Sequence, residues 1–247
     1  MKLQGKSVLV TGGTSGIGLA TAQLFLQQGA RVAITGRSAE ALANAQKQLG
    51  DQVLALRSDT SKLSDIDALA NTLRDKWGQL DAVFVNAGIA KFAPLADSSE
   101  ALWDETFAIN LKGAFFTVKA FAPLVRDGGA FVLNTSVVDE KGMPNTSVYS
   151  ASKAGLRSLA RTLASELVAR RIRVNAVSPG PIETPIFGKL GLPPEALSGM
   201  GAQMREMNPM KRFGRPDEVA AAVAYLAFDA TYTTGEELVV DGGLARL

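Results

Sequence analysis

The sequence predicts an α/β fold: a doubly wound sheet of seven parallel strands, forming one domain over residues 1–247. Three observations predict it. Short apolar runs such as Ser7-Val8-Leu9-Val10 and Ala82-Val83-Phe84-Val85 read as strands buried on both faces. Stretches with helical apolar spacing alternate with those runs along the chain. Several of the runs also end in glycine, asparagine or serine, and right-handed crossovers bring such ends to one edge, where open α/β sheets collect ligands.

The first strand leads into Thr11-Gly12-Gly13-Thr14-Ser15-Gly16-Ile17-Gly18, and Leu19, Ala22, Leu24, Phe25 and Leu26 then repeat at helical spacing. Strand, glycine turn and helix suit a pyrophosphate, because glycine lets the backbone approach and the helix N-terminus favours negative charge. The spacing is G-x-x-x-G-x-G, not the commoner G-x-G-x-x-G. The second strand, Arg31 to Thr35, ends at Gly36-Arg37-Ser38, where an acid would bind the ribose of NAD. No acid is present. Gly36 leaves room, Arg37 offers a charged fork and Ser38 a hydroxyl, a set suited to the 2′-phosphate of NADP(H). Arg37 also fits a solvated position at the start of the helix Ala39 to Leu49.

Val53 to Leu56 forms the third strand, with Asp59 just beyond it, placed either to accept from an adenine amino group or to cap the helix Leu63 to Trp77. The fourth strand, Ala82 to Val85, runs into Asn86-Ala87-Gly88, whose small side chains leave space. Helical patterning follows from Ser99 to Phe107 and from Leu111 to Val125, interrupted by Asn110, which alone reads as a polar kink. Gly129 to Leu133 is the fifth strand and delivers Asn134-Thr135-Ser136 to the ligand edge.

A long helix from Val148 to Ala169 buries Ala154, Leu156, Leu159, Leu163 and Leu167, and carries Tyr149 and Lys153 at i and i+4 on one face. At about 4 Å and an effective dielectric near 20, the ammonium stabilises a phenolate by roughly 4 kcal/mol, enough to lower a tyrosine pKa by about three units. Tyr149 is then an acid or base near neutral pH. Ile172 to Val177 is the sixth strand, followed by the rigid turn Ser178-Pro179-Gly180-Pro181-Ile182-Glu183-Thr184. Residues 185–213, which include Phe187, Leu190, Leu192, Leu197, Met200, Met204 and Met207 among glycines and prolines, read as a mobile apolar lid; the alternative is a helical excursion packed on a neighbouring subunit. Pro216 opens the last helix, through Phe228, and Glu237 to Val240 is the seventh strand.

Composition narrows the chemistry. The chain is 47% hydrophobic and 20% charged, ordinary for a globular protein, and its 26 basic against 24 acidic residues give no broad basic face for nucleic acid. The absence of cysteine excludes thiol nucleophiles and thiolate metal sites, and the absence of histidine excludes an imidazole base and His-ligated zinc. Proton donors must therefore be Tyr, Lys, Asp or Glu. No loop has the dense acidic spacing of a Mg²⁺ or Ca²⁺ site, so no metal is expected. No apolar run has bilayer length, and the start lacks the apolar core of a signal peptide, so a cytoplasmic location without membrane contact is expected.

Together these motifs resemble the classical short-chain dehydrogenase/reductase family over essentially the whole chain. The resemblance rests on Thr11-Gly12-x-x-x-Gly16-x-Gly18, Asn86-Ala87-Gly88, Asn110, Ser136, Tyr149-x-x-x-Lys153, Pro179-Gly180, Thr184 and Val240-Asp241-Gly242-Gly243 in family order. It implies a Rossmann-like fold and a nicotinamide cofactor. It implies that Tyr149 protonates a carbonyl oxygen, that Ser136 polarises that oxygen, that Lys153 lowers the tyrosine pKa and binds the nicotinamide ribose, and that Asn110 anchors a water in a proton relay. Cofactor contacts are implied for Gly12, Thr14, Ser15, Gly16, Ile17 and Gly18, for Arg37, Ser38 and Asp59, for Asn86, Ala87 and Gly88, and for Pro179, Gly180, Ile182 and Thr184. The chain departs from the family at Val85, often a second asparagine, and at Ser15, often basic in NADP-preferring members.

The expected activity is that of an NADPH-dependent carbonyl reductase, or alcohol dehydrogenase in reverse, acting on a small to medium hydrophobic ketone or alcohol. The alternatives are a 3-oxoacyl-carrier-protein reductase, using Arg126, Arg170 and Arg171 to meet an acidic carrier, and a non-catalytic dinucleotide sensor. The resemblance further implies a homotetramer joined through the long helices and the seventh-strand edge.

Overall fold

The computed structural model describes residues 2–185 and 194–247. Seven parallel strands form one sheet in the order β3-β2-β1-β4-β5-β6-β7, namely β1 Ser7–Val10, β2 Arg31–Gly36, β3 Leu54–Arg57, β4 Leu80–Val85, β5 Val125–Asn134, β6 Arg173–Pro179 and β7 Glu237–Val240. The direction of winding reverses between β1 and β4, the crevice in which such sheets bind ligands.

Strand alternation divides the core between the two faces. Val8, Val10, Val32 and Ile34 point to one side, under helices α1 (Gly16–Gln27), α2 (Ala39–Leu49) and α8 (Pro216–Ala224). Leu9, Val83 and Phe131 point to the other, under α3 (Leu63–Trp77), α5 (Ala114–Phe121) and α6 (Ser147–Leu167). With both faces covered, the central strands are apolar over most of their length, which is why the sequence shows nearly continuous runs instead of alternation.

Three sequence expectations are corrected. The helix expected to reach Val125 stops at Phe121, because Pro123 cannot continue it, and Val125 opens β5 opposite Leu80. Arg170 caps that helix end, donating to the carbonyls of Ala122 (2.6 Å) and Val125 (2.7 Å). Ala154 is exposed; the buried stripe of α6 runs through Val148, Ser152, Leu156, Ala160 and Ala164, an i, i+4 row that passes Ala154 by. The segment around Asn110 is a π-helical turn, Ala108–Gly113, between α4 (Glu100–Phe107) and α5, and is not a simple kink. Part of the expected lid is the helix α7 (Pro194–Met207); Phe187, Leu190 and Leu192 lie outside the described residues.

At the edge of the sheet remote from the crevice, Asp81 ties β1 to β4. Its carboxylate is only 4% exposed; it accepts from the Ser7 N–H at 2.9 Å and pairs with Lys6 (3.0 Å) and Arg126 (3.1 Å). Asp81→Ala is expected to leave a buried strand amide unpaired and to lower folding stability by about 2 kcal/mol, read as a fall in the denaturant midpoint at unchanged slope.

Candidate active site

The first strand crosses into its helix through a turn with no space for side chains. Gly12 adopts φ +64°, and a Cβ there would stand 2.9 Å from the Cα of Ala87. A Cβ on Gly18 would meet the Gly12 carbonyl oxygen at 2.4 Å. Helix α1 begins at Gly16 with no acidic residue in its first turn, and the Ser15 side chain makes no capping bond. Its first amides are therefore available to an anion. This cradle, which any Cβ would fill, fits a pyrophosphate. It opens onto a cleft of about 590 Å³ lined by every candidate cofactor residue named from the sequence, together with Ser136, Tyr149 and Lys153. A volume of that size suits a small organic ligand.

Beyond the ends of β2 and β3, Arg37, Ser38 and Asp59 line the same cleft. Ser38 is the N-cap of α2 and accepts from the Ala41 N–H at 3.2 Å, which leaves its own proton free to donate. Asp59 caps no helix, since Lys62 holds the N-cap position of α3; Asp59 Oδ1 accepts instead from the Ser61 N–H (3.1 Å) and hydroxyl (2.8 Å). Burial raises the Asp59 pKa, but the Ser61 bonds and the charges of Arg37 and Lys62 outweigh it and hold the carboxyl below its ordinary value. The space at Gly36 is already used: a Cβ there would lie 2.6 Å from Thr14 Cγ2. Sequence reasoning missed Arg57, which β2–β3 register sets beside Gly36 and whose Nε donates to the Arg37 carbonyl at 3.1 Å.

A hydrogen-bonded series then crosses the crevice. Asn86 Nδ2 donates to the carbonyls of Thr11 (2.9 Å) and Gly12 (3.1 Å), its Oδ1 accepts from Asn134 Nδ2 (2.9 Å), and the Asn134 carbonyl accepts from Lys153 Nζ (2.7 Å). Asn134, not assigned a role from sequence, is set beside Asn86 by the β4–β5 register, which pairs Val85 with Leu133. Asn110 is only 1% exposed and does not line the cleft. It binds both backbone groups of Ile89, accepting from the N–H at 2.8 Å and donating to the carbonyl at 3.0 Å. It also donates to Ser152 Oγ (3.1 Å), which in turn donates to the Tyr149 carbonyl (2.7 Å). Ser152 was another omission of the sequence reading; its signal was its place on the same α6 stripe as Val148 and Leu156.

Ser136 and Tyr149 both line the cleft, and Ser136 acts on the phenol in the direction that lowers its pKa. The expected depression of the tyrosine pKa is not found. Burial pushes Tyr149 up to about 12, with Asp139 adding to the rise and Ser136 opposing it, while Lys153 Nζ is held on the Asn134 carbonyl and sits 5.7 Å from the ring centroid. Burial instead lowers Lys153, 4% exposed, to about 8, with Asp139 opposing. Tyr149 is thus kept as a phenol, a proton donor, beside an ammonium that is close to releasing its own proton.

At the far end, the turn Pro179 to Thr184 is fastened by Gly180 N–H to the Val240 carbonyl (3.0 Å) and by an isolated bridge of Ile182 with Gly214. Asp241 packs against Gly180, where a Cβ would meet it at 2.7 Å, and its own backbone is held by Asn208 Nδ2 (2.8 Å). Phe92 packs on the tyrosine ring at 5.6 Å, and Val138, Met143, Met204 and Leu244 also line the cleft, as do the polar Lys91, Glu105 and Thr146. Met204 brings α7 to the cleft.

Known proteins resemble the chain throughout. A family model described as enoyl-(acyl carrier protein) reductase matches residues 12–245. A 3-oxoacyl-acyl-carrier-protein reductase of Thermotoga maritima is 38% identical over 99% of each chain. An NADP-dependent (R)-specific alcohol dehydrogenase of Lentilactobacillus kefiri is 35% identical over 98% of this chain and 97% of its own. The crystal structure of levodione reductase superposes with a TM-score of 0.93 at 33% identity, covering 98% of both chains.

The strain of holding a buried ammonium gives a stability prediction. Lys153→Met is expected to raise the stability of the ligand-free protein at pH 7 by about 1–2 kcal/mol, a depressed lysine pKa outweighing one lost hydrogen bond. The sign follows from linkage: the folded state disfavours the charged lysine, so the wild-type penalty is complete below pH about 8 and disappears as pH rises from there towards the ordinary lysine range. Denaturation of both proteins across that range measures the gap and its closing.

Proposed function

The chain belongs to the classical short-chain dehydrogenase/reductase family and is an oxidoreductase of the CH–OH/carbonyl type; from that premise we propose that it is an NADPH-dependent reductase of small to medium hydrophobic ketones. The observation that carries the proposal is a phenol kept protonated at neutral pH that shares one cleft with Ser136, Lys153, the glycine turn, Arg37 and Ser38.

Bound reduced nicotinamide supplies the hydride. The glycine turn and the N-terminus of α1 hold the pyrophosphate, Asp59 accepts from adenine, and Arg37 and the Ser38 hydroxyl bind the 2′-phosphate, with Arg57 adding charge. The turn from Pro179 through Ile182 to Thr184 holds the nicotinamide amide, and Asn86, Ala87 and Gly88 form the floor. Ser136 donates to the substrate carbonyl oxygen. Tyr149 gives its proton to that oxygen as negative charge develops there. Lys153 binds the nicotinamide ribose and offsets the charge left on the phenol. Asn110 acts from behind the cleft, holding Ile89 and, through Ser152, the first turn of α6.

A carrier-protein reductase is the second reading, favoured by the family description and by the Thermotoga relative. Two of the arginines suggested for an acidic carrier have other work: Arg126 pairs with Asp81, and Arg170 with Asp127 at 2.9 Å and with two carbonyls. A homotetramer is part of the proposal. Support comes from β7, a terminal strand of the sheet, and from Trp103 on α4, half-exposed and stacked on Phe107 at 4.3 Å.

Assays of NADPH and NADH oxidation with simple ketones and a 3-oxoacyl thioester test these readings. Tyr149→Phe is expected to lower kcat by about 10³-fold or more while NADPH affinity stays within about threefold. Arg37→Ala is expected to raise the KM for NADPH about 10- to 100-fold and leave that for NADH nearly unchanged, the loss of one charge-assisted contact. A wild-type preference for NADH would overturn the coenzyme assignment, and turnover of the thioester alone would replace the ketone.

A further inference from the structure

Behind the catalytic side chains lies a charged cluster that the reaction above does not use. Asp139 ends the 3-10 turn Val137–Asp139 that follows Ser136, and its carboxyl is wholly buried, 0% exposed. Arg157, one turn beyond Lys153 on α6, reaches Glu140 (2.5 Å) and Glu237 on β7 (2.8 Å) but comes no closer than 4.0 Å to Asp139. Glu237 Oε1 accepts from the Thr135 hydroxyl at 2.5 Å. Neither oxygen of Asp139 receives a hydrogen bond from any N–H or O–H among the described residues, nor does Glu237 Oε2, whose approach to Arg157 Nε is not an aligned bond. Asp139 and Glu237 converge on the one Arg157 guanidinium, at 4.0 and 2.8 Å, and Glu237 is among the causes that raise the Asp139 pKa.

Ionised carboxylates only accept, so two of them close together and out of water repel and leave their oxygens unsatisfied. One proton between them removes both costs. We propose that Asp139 and Glu237 share a single proton, forming a buried carboxyl pair that braces the turn after Ser136 against β7 and limits the negative charge facing Tyr149 and Lys153.

Asp139 is a positioning residue here, acting through the tyrosine and lysine. The charged groups around it are Glu237 from β7, Arg157, Lys153 and Tyr149 from α6, and Glu140 from its own turn. Burial pushes the Asp139 carboxyl up to about 8, and the neighbouring Glu237 adds to the rise. Once ionised, it raises the pKa of both Tyr149 and Lys153. The pair therefore favours folding most fully below the ordinary carboxylate range, and that contribution is lost as pH rises through about 8.

Infrared difference spectra of the ligand-free protein, recorded across pH 6 to 10, test the proton directly, since nearly all other carboxyls are ionised there and lysine has no carbonyl band. The wild type is expected to show the carbonyl band of a protonated carboxyl at neutral pH, lost with a midpoint near 8. The band is expected to vanish at neutral pH in Asp139→Asn and in Glu237→Gln, the second keeping a donor for Asp139 and an acceptor for Thr135 should the first fail to fold. Absence of the band in the wild type, or its persistence in either folded variant, overturns the proposal. The pH profile of kcat supplies the second arm, which rests on the reductase reading: without an ionisable residue at 139, the alkaline limb set by Lys153 moves to lower pH. A limb that stays in place overturns the link to the catalytic pair while leaving the infrared result to judge the shared proton.

Discussion

The contact between the Lys153 ammonium and the Asn134 carbonyl is the interaction on which the site depends. A buried ammonium is tolerated only where its donors are met, and here one is met by the last residue of β5. That bond fixes α6 relative to the sheet. Through Asn134 and Asn86 it also fixes the sheet relative to the glycine turn. The anion cradle and the proton donor, which lie far apart in sequence, are thereby held to one geometry by three consecutive side-chain contacts. The same bond explains why the lysine does not act on the phenol as simple i, i+4 spacing suggests.

Topology supplies the crevice and the asparagines stiffen it. Between β1 and β4 the chain departs to opposite sides, so no helix covers the strand ends there. Open strand ends leave backbone groups without partners. Asn86 satisfies two carbonyls of the turn, and Asn110, delivered by a π-helical turn, satisfies both groups of Ile89 on the opposite wall. A regular helix through Ala108–Gly113 would rotate Asn110 relative to those groups.

Much of this was legible in the sequence. The apolar runs and glycine turn marked β1, α1 and the crevice because doubly buried strands and phosphate turns have strong local signatures. Leu63–Trp77 and Glu237–Val240 fall where periodicity put them. What periodicity obscured had identifiable causes. Pro123 ended α5 early, and a local signal, proline after an apolar helix, was there to be read. Ala154 looked buried because alanine is compatible with either face. The pKa of Tyr149 was out of reach, since its sign is decided by burial and by where the lysine points, and both depend on neighbours contributed by other elements. Asn134, Ser152 and Arg57 escaped notice for the same reason: each acts across strand register or between elements.

The close fit of Gly36 under the Thr14 methyl has an evolutionary reading. The two positions belong to different loops and to opposite ends of the first helix and second strand, yet they share one small volume. A lineage that acquires a larger residue at 36 must first shrink residue 14, or pass through an intermediate with a distorted glycine turn. The order of the two substitutions is therefore constrained, and the two positions are inherited as a coupled pair.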